Sequence, residues 1–166
     1  MATVTVSRAR VARTISGNAP QVLMLPEAGS LAVKKGEFVY LSGGYVTEIG
    51  ANPAAILGIA DADAANGDAG ANDIPVVIAN NDTIFEIHKT NSTGTGVATA
   101  VTDVGAEFAI YRDTSNNWAT AYAAAGGFGN ARLICLDHSN FDAVGDTGGR
   151  LLVMVMGSFR QLFSTS

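Results

Sequence analysis

Apolar residues recur along this chain in short runs, often at every second position, separated by breaks rich in Gly, Asn and Asp. In the stretch 33–64 the apolar positions are Phe38, Tyr40, Tyr45, Val46, Ile49, Ile56, Leu57 and Ile59. Lys35-Gly36, Ser42-Gly43-Gly44, Gly50-Ala51-Asn52-Pro53 and Asn66-Gly67 supply the breaks. Runs punctuated this way predict short strands joined by tight turns rather than βαβ units. Gly43-Gly44, between Leu41 and Tyr45, marks a hairpin. The run Ile74–Ile78 predicts another strand, with Pro75 confining it to a strand start or a sheet edge.

Longer runs follow. Thr83–Ile87, Glu107–Arg112, Ala131–Leu136 and Arg150–Met156 predict strands, and Ser158–Phe163 an alternating tail. The connections are Thr90–Gly96, Asp113–Asn117, Asp137–Phe141 and Val144–Gly149. Thr120–Ala125 is Ala-rich, and six residues is short for a stable helix. Leu151 to Met156 is apolar on both faces. One face can fill the core, and the other must meet a second sheet or another subunit. Residues 1–30 carry no core periodicity and predict an extended arm. Val4, Val6, Val11 and Ile15 are scattered along it, and Val22-Leu23-Met24-Leu25 forms a patch ending at Pro26. The expected fold is all-β, a β-sandwich or barrel of jelly-roll or β-tulip-like type, with that extended N-terminal arm. Its parts are the arm 1–30, a small β module 31–80, and a larger β-sandwich or barrel portion 81–166 packed on the module as one unit.

Composition changes this picture in one respect. The 166 residues are 48% hydrophobic, but only 15% are charged, against roughly 25% in an average domain. A surface built from Thr, Ser, Asn, Ala and Gly suits either a protein packed against neighbours or simply a low-charge β protein. The net charge of −5 is unevenly spread: residues 1–35 hold five basic residues and one acid, residues 36–166 five basic residues and fourteen acids. An acidic body repels phosphate, which argues against nucleic-acid binding by the main domain. Three arginines in the arm do not decide between nucleic acid and an acidic protein surface, and no direct nucleic-acid partner is expected. No run reaches the length of a membrane span, and the first residues lack the apolar stretch of a signal peptide. Cys135, the single cysteine, lies in an apolar run and reads as a buried thiol. Asn81-Asp82-Thr83 and Asn91-Ser92-Thr93 match the glycosylation pattern but read as turns.

Candidate chemistry is sparse. Asp61, Asp63, Asn66, Asp68 and Asp73 offer oxygen ligands. An EF-hand register starting at Asp61 fails at Ala65, Asn66 and Asn72, so the loop reads as solvated. His88 and His138 are the only histidines. His138 lies beside Asp137 and Ser139, but adjacency in sequence does not make a triad, and no nucleophile-elbow motif is present. Gly126-Gly127-Phe128-Gly129 precedes a strand, whereas a phosphate cradle needs a helix N-terminus. No catalytic, cofactor-binding or metal-binding residue is assigned, and no cofactor is expected.

Val33-Lys34-Lys35-Gly36-Glu37-Phe38-Val39 followed by Ile56-Leu57-Gly58-Ile59-Ala60 resembles the small β modules of tailed-phage capsid decoration, or cement, proteins. Phe85-Glu86-Ile87, Val104-Gly105-Ala106-Glu107-Phe108 and Val144-Gly145-Asp146 with Arg150-Leu151-Leu152-Val153 are similar to the C-terminal β domain of such proteins, and Gln161-Leu162-Phe163 to a closing tail. The resemblance covers roughly residues 31–163. It implies a homotrimeric structural protein on the outer surface of an icosahedral phage head, bridging major capsid protein subunits. Under it, Val4, Val6, Arg8, Arg10, Val11, Arg13 and Ile15, with Val22, Leu23 and Leu25, would contact the capsid or a neighbouring copy. Two alternatives remain. One is a carbohydrate- or host-surface-binding module of a virion, with Tyr40, Tyr45 and Trp118 stacking on sugars. The other is a hydrolase using scattered acids.

Overall fold

The computed structural model describes residues 1–50, 53–113, 118–123 and 132–162. The protein is all-β, and no α-helix occurs among the described residues. Among the described residues, eleven strands form two sheets. In chain order they are β1 (Arg10–Thr14), β2 (Val22–Pro26), β3 (Phe38–Ser42), β4 (Tyr45–Glu48), β5 (Gly58–Ala60), β6 (Asp73–Ile78), β7 (Thr83–Thr90), β8 (Glu107–Asp113), β9 (Trp118–Ala123), β10 (Leu133–His138) and β11 (Arg150–Val155). The expected loop 113–117, the glycine run 126–129 and Phe163 lie wholly or partly outside the described residues, as does the side chain of Trp118.

One sheet runs β1-β7-β11-β10-β8-β9. Strand β7 closes it into a five-stranded barrel, because Lys89 and Thr90 pair in parallel with Ala121 and Tyr122 of β9. The other half of that same β7 edge, residues 83–86, is taken by β1. Strand β7 therefore has three neighbours, and all eight of its residues are buried. The second sheet runs β2-β6-β5-β3-β4. Its two outer strands meet where Glu27 bridges Val46 in parallel and the Ala28 N–H donates to the Val46 carbonyl at 2.9 Å. The hairpin β3–β4 turns on Gly43 and Gly44, both at positive φ, as the favoured two-residue hairpin turn requires.

Side-chain alternation builds two cores. Phe85 and Ile87 of β7, Phe108 and Ile110 of β8, Leu133 and Cys135 of β10, and Leu151, Val153 and Val155 of β11 fill the barrel. The outward face of the second sheet joins them through Phe38, Ile49, Ile56 and Ile59. The Phe38 and Phe85 rings meet edge to face at 5.4 Å. The inner face of the second sheet, with Val39, Val46, Leu57, Ile74, Val76 and Ile78, forms the other core. The second face of β11 is accounted for within the chain: Leu152 and Met154 cluster with Ile84 and Ile134 on the barrel's outer face.

Residues 1–30 are extended, and both of their strands lie in the chain's own sheets. Strand β1 pairs with β7 and β2 with β6. The C-terminal segment stitches the sheets together. Ile56 N–H donates to the Phe159 carbonyl at 2.7 Å, and Gln161 N–H to the Ile56 carbonyl at 2.9 Å. The Gln161 side chain donates to and accepts from the Leu41 backbone at 2.6 and 2.5 Å. Arg112 of the barrel reaches Glu48 at 2.6 Å and Glu37 at 3.4 Å on the second sheet.

Candidate interaction surface

The first residues are held by the barrel. Ala2 N–H donates to Asp146 Oδ1 at 2.7 Å, Thr147 N–H to the Ala2 carbonyl at 2.9 Å, and Val4 N–H to the Thr147 carbonyl at 2.8 Å. Val4 and Val6 are half-buried, Arg8 and Arg13 exposed. Val11 packs against the barrel core, and Leu23 and Leu25 against the second core. Arg10 bonds the buried Glu86. Ile15 and Val22 remain exposed. Of the expected contact residues, Val11, Leu23 and Leu25 thus serve the chain's own cores. Arg8, Arg13, Ile15 and Val22 stay available at the surface, joined by Met24, which is 60% exposed.

The outward side chains of β7 organise a polar cluster that no local sequence pattern marks. Glu86 accepts hydrogen bonds from Arg10 and Ser139, with Arg150 3.9 Å away. Burial pushes its carboxyl up, but the Arg10 and Ser139 hydrogen bonds and the Arg10 and Arg150 charges outweigh burial and hold it below its ordinary value. Asp142 takes two hydrogen bonds from the Arg150 guanidinium, at 2.7 and 2.8 Å, and those bonds lower its carboxyl too. His88, two positions along, is only 2% exposed. Its Nδ1–H donates to the Gly148 carbonyl at 2.6 Å, which leaves Nε2 to accept from the Ser7 hydroxyl at 3.0 Å. Desolvation by burial lowers the imidazole pKa, reinforced by the Arg150 charge and only partly opposed by the Gly148 bond and the Asp142 and Glu86 charges.

These shifts set a pH dependence. The unfolded chain protonates His88 near pH 6.5, while the native imidazole resists the proton. The stability this group contributes is therefore complete above about pH 6.5 and is lost as pH falls through the lower native value. Glu86 and Asp142 act with the same sign in a more acidic window, below the ordinary carboxylate range. Burial raises the Glu37 carboxyl, so its contribution is present at low pH and lost as pH rises through its native value. We expect the urea midpoint to fall between pH 7 and pH 5.5 in the wild type, and much less in His88→Gln. Equal slopes in the two proteins would assign the loss to other groups.

The β7–β8 and β10–β11 connections leave the same end of the barrel and carry exposed aliphatic side chains. Val101 is 76% exposed, Val144 49% and Val104 47%, with Leu136 and Val97 beside them in the same loops and strand end. The framework beneath is closely bonded. Gly148 N–H donates to the Val97 carbonyl at 2.9 Å, Gly145 N–H to Thr99 Oγ1 at 3.0 Å, and Gly105 N–H to the Cys135 carbonyl at 2.8 Å. Under Val101 and Val104 lies Asp103, gripped by Lys89 Nζ at 2.7 and 2.8 Å. The apolar side chains thus stand on loops fixed by buried polar pairs.

Other expected features fall into place individually. Asp63 accepts from Lys35 N–H at 2.9 Å and Lys34 Nζ at 3.2 Å, and Asp61 pairs with Lys35 at 2.9 Å. The acidic loop is thereby tied to the basic turn 34–35. Cys135 is buried in the barrel, and burial pushes its thiol up to about 11. His138 sits at the end of β10, its Nε2 2.9 Å from the Ala100 carbonyl. Of the tyrosines considered for sugar stacking, Tyr40 packs against the barrel core and Tyr45 lies partly exposed beside Gly70. Compared with protein-family models, curated proteins and solved structures, the chain matches none.

Proposed function

We propose that the chain is a structural virion protein, a capsid decoration protein that binds the outside of an icosahedral phage head and bridges neighbouring major capsid protein subunits, with further copies of itself in a homotrimer. The observation that supports this best is the aliphatic end of the barrel. Exposed aliphatic side chains gathered on the loops at one end of a fixed framework favour a surface that another protein covers. Each side chain buried there contributes on the order of 1–3 kcal/mol, and repeated copies bound to neighbouring subunits add avidity without strong single contacts. The low-charge surface and the family resemblance of the two β modules point the same way.

A test uses Val101→Asp with Val104→Asp. Both side chains are exposed, so stability should stay within about 0.5 kcal/mol of wild type. Cosedimentation with decoration-free heads should drop at least tenfold. Undiminished head occupancy would exclude this surface as the capsid contact.

A hydrolase reading has one specific observation in its favour, the Ser7–His88 hydrogen bond with His88 oriented by a carbonyl. A serine nucleophile needs its imidazole to become charged. Here that charge would form in a buried site, where desolvation outweighs the support of the Gly148 carbonyl and of the Asp142 and Glu86 charges, and the Arg150 charge opposes it. Labelling of Ser7 by a fluorophosphonate would favour this reading over a structural one.

A further inference from the structure

Strand β1 is the terminal strand of its sheet, paired on one side only. A pleated strand directs half of its backbone N–H and C=O groups to each side, so β1 carries a row of such groups with no ladder partner. Residues 7–11 form one wall of an open groove of about 870 Å³. The facing wall and floor come from the second sheet and its turn: Ile59, Ala60 and Val77 are apolar, and Lys35 stands at the rim. The groove narrows where the two walls touch at Gly36. A Cβ there would sit 2.5 Å from the Ala9 carbonyl oxygen and 3.0 Å from the Arg8 Cβ, and Gly36 also holds φ +88°.

We propose that this groove takes up an extended acidic segment of a partner protein, added as a strand to the free edge of β1. Strand addition supplies main-chain hydrogen bonds, and alternate side chains enter the groove or face solvent. Strand β1, residues 10–14, spans about 17 Å, room for five residues of an added chain, and its first two residues border the groove. The groove selects for acids. Arg8, Arg10 and Lys35 line it beside Asp61; Arg10 is engaged by Glu86 and Lys35 by Asp61, so Arg8 supplies the uncompensated charge. Neither Arg8 nor Arg13 has an ion-pair partner within 4 Å among the described residues. The same charges disfavour a second copy of this chain as the occupant. Two β1 edges paired about a two-fold axis would set Arg8, Arg10 and Arg13 against one another, and like charges directly across strands are destabilising. Apolar contacts to Ile59 and Val77 then favour an acidic strand with an apolar face. In assigning that strand to the capsid protein, the inference rests on the decoration reading; the groove's chemistry does not depend on it.

The test needs no capsid. The ¹⁵N-labelled full chain is titrated with a nine-residue peptide alternating glutamate and valine. Control peptides carry lysine in place of glutamate, or N-methyl groups on alternate amides in each of the two registers. Amide shifts should concentrate at residues 7–14, 35–36, 59–61 and 77. The lysine peptide should bind at least tenfold more weakly, and N-methylation in one register should abolish binding. Arg8→Glu should weaken the glutamate peptide about tenfold at an unchanged urea midpoint. Three results would overturn the proposal: no shift at these positions at millimolar peptide, equal binding of both N-methylated peptides, or the same shifts on concentrating the protein alone, which would make a second copy the occupant. Loss of head binding in the Val101 and Val104 variant, with the peptide result absent, would leave the decoration reading standing and remove only the groove.

Discussion

Gly58→Ala should leave the chain without a native cooperative unfolding transition. A Cβ on Gly58 would stand 1.9 Å from the Val77 carbonyl oxygen and 2.8 Å from its carbon. Both are backbone atoms of β6, so no side chain can rotate out of the way. Strand β5 cannot retreat either, because it lies between β3 and β6, with Gly58 opposite Val39 on one side and Ile78 on the other. Relief requires separating β5 from β6, which opens both cores through Ile59 and Leu57. Losses above about 4 kcal/mol belong to such buried clashes, and a domain commonly has only about 5–15 kcal/mol in total. Gly50→Ala is the control: nothing lies within 4 Å of the added carbon, and the backbone φ is an ordinary one. It should be neutral, or stabilising by about 0.4–1 kcal/mol through the unfolded state. Near-ultraviolet circular dichroism and urea titration of the two variants decide the matter. A Gly58→Ala midpoint close to wild type would mean that β5 and β6 are spaced differently.

Lys89→Met is expected to cost about 3–5 kcal/mol, the range for removing one partner of a buried ion pair. Lys89 Nζ donates to both Asp103 oxygens and to the Ala98 carbonyl at 2.9 Å. Without it, Asp103 keeps the Ala100 N–H at 2.8 Å and a distant His138 at 4.0 Å, too little for a carboxylate so deeply placed. The loss should be coupled. Adding Asp103→Leu to Lys89→Met removes the orphaned charge and should restore most of the stability. A double-mutant cycle reads that coupling directly, and strictly additive penalties would show that the two groups stabilise independently. Because Asp103 fixes the turn that carries Val101 and Val104, Lys89→Met should also weaken head binding in the decoration assay.

The elements visible in the sequence are those whose signal is local. The glycine pair 43–44 announces its hairpin, and the runs that became β6, β7, β8, β10 and β11 alternate or continue strongly enough to be seen. The glycine within Ile56-Leu57-Gly58-Ile59-Ala60 could be noticed, but only the approach of β6 explains it. Strand β9 was hidden because Ala-rich residues 120–125 carry little strand preference. It forms because Thr120 and Ala121 are buried against β7, with Thr120 Oγ1 2.6 Å from Thr90 Oγ1. Strands β1 and β2 lacked periodicity for a related reason. Each adds to a sheet edge and packs only one or two partly buried apolar side chains on a core, Val11 in one case, Leu23 and Leu25 in the other. The pairs Ser7–His88 and Lys89–Asp103, and the groove beside β1, join residues with no local relation in the chain, so no spacing rule could have found them.

The wiring of this molecule also sets its tempo. Ala2 is tied to Asp146, Arg10 to Glu86 and Leu41 to Gln161, across separations of 144, 76 and 120 residues. The barrel closes only when β9 settles parallel to β7. Each of these contacts demands that a long loop be closed before any energy is returned, so folding belongs to the millisecond-to-second regime of non-local β topologies rather than the microseconds of helical bundles. Any intermediate in which β1 has yet to pair with β7 exposes that strand and its arginines. The charges that later mark the groove for an acidic strand then have an earlier task, keeping incomplete copies from joining edge to edge.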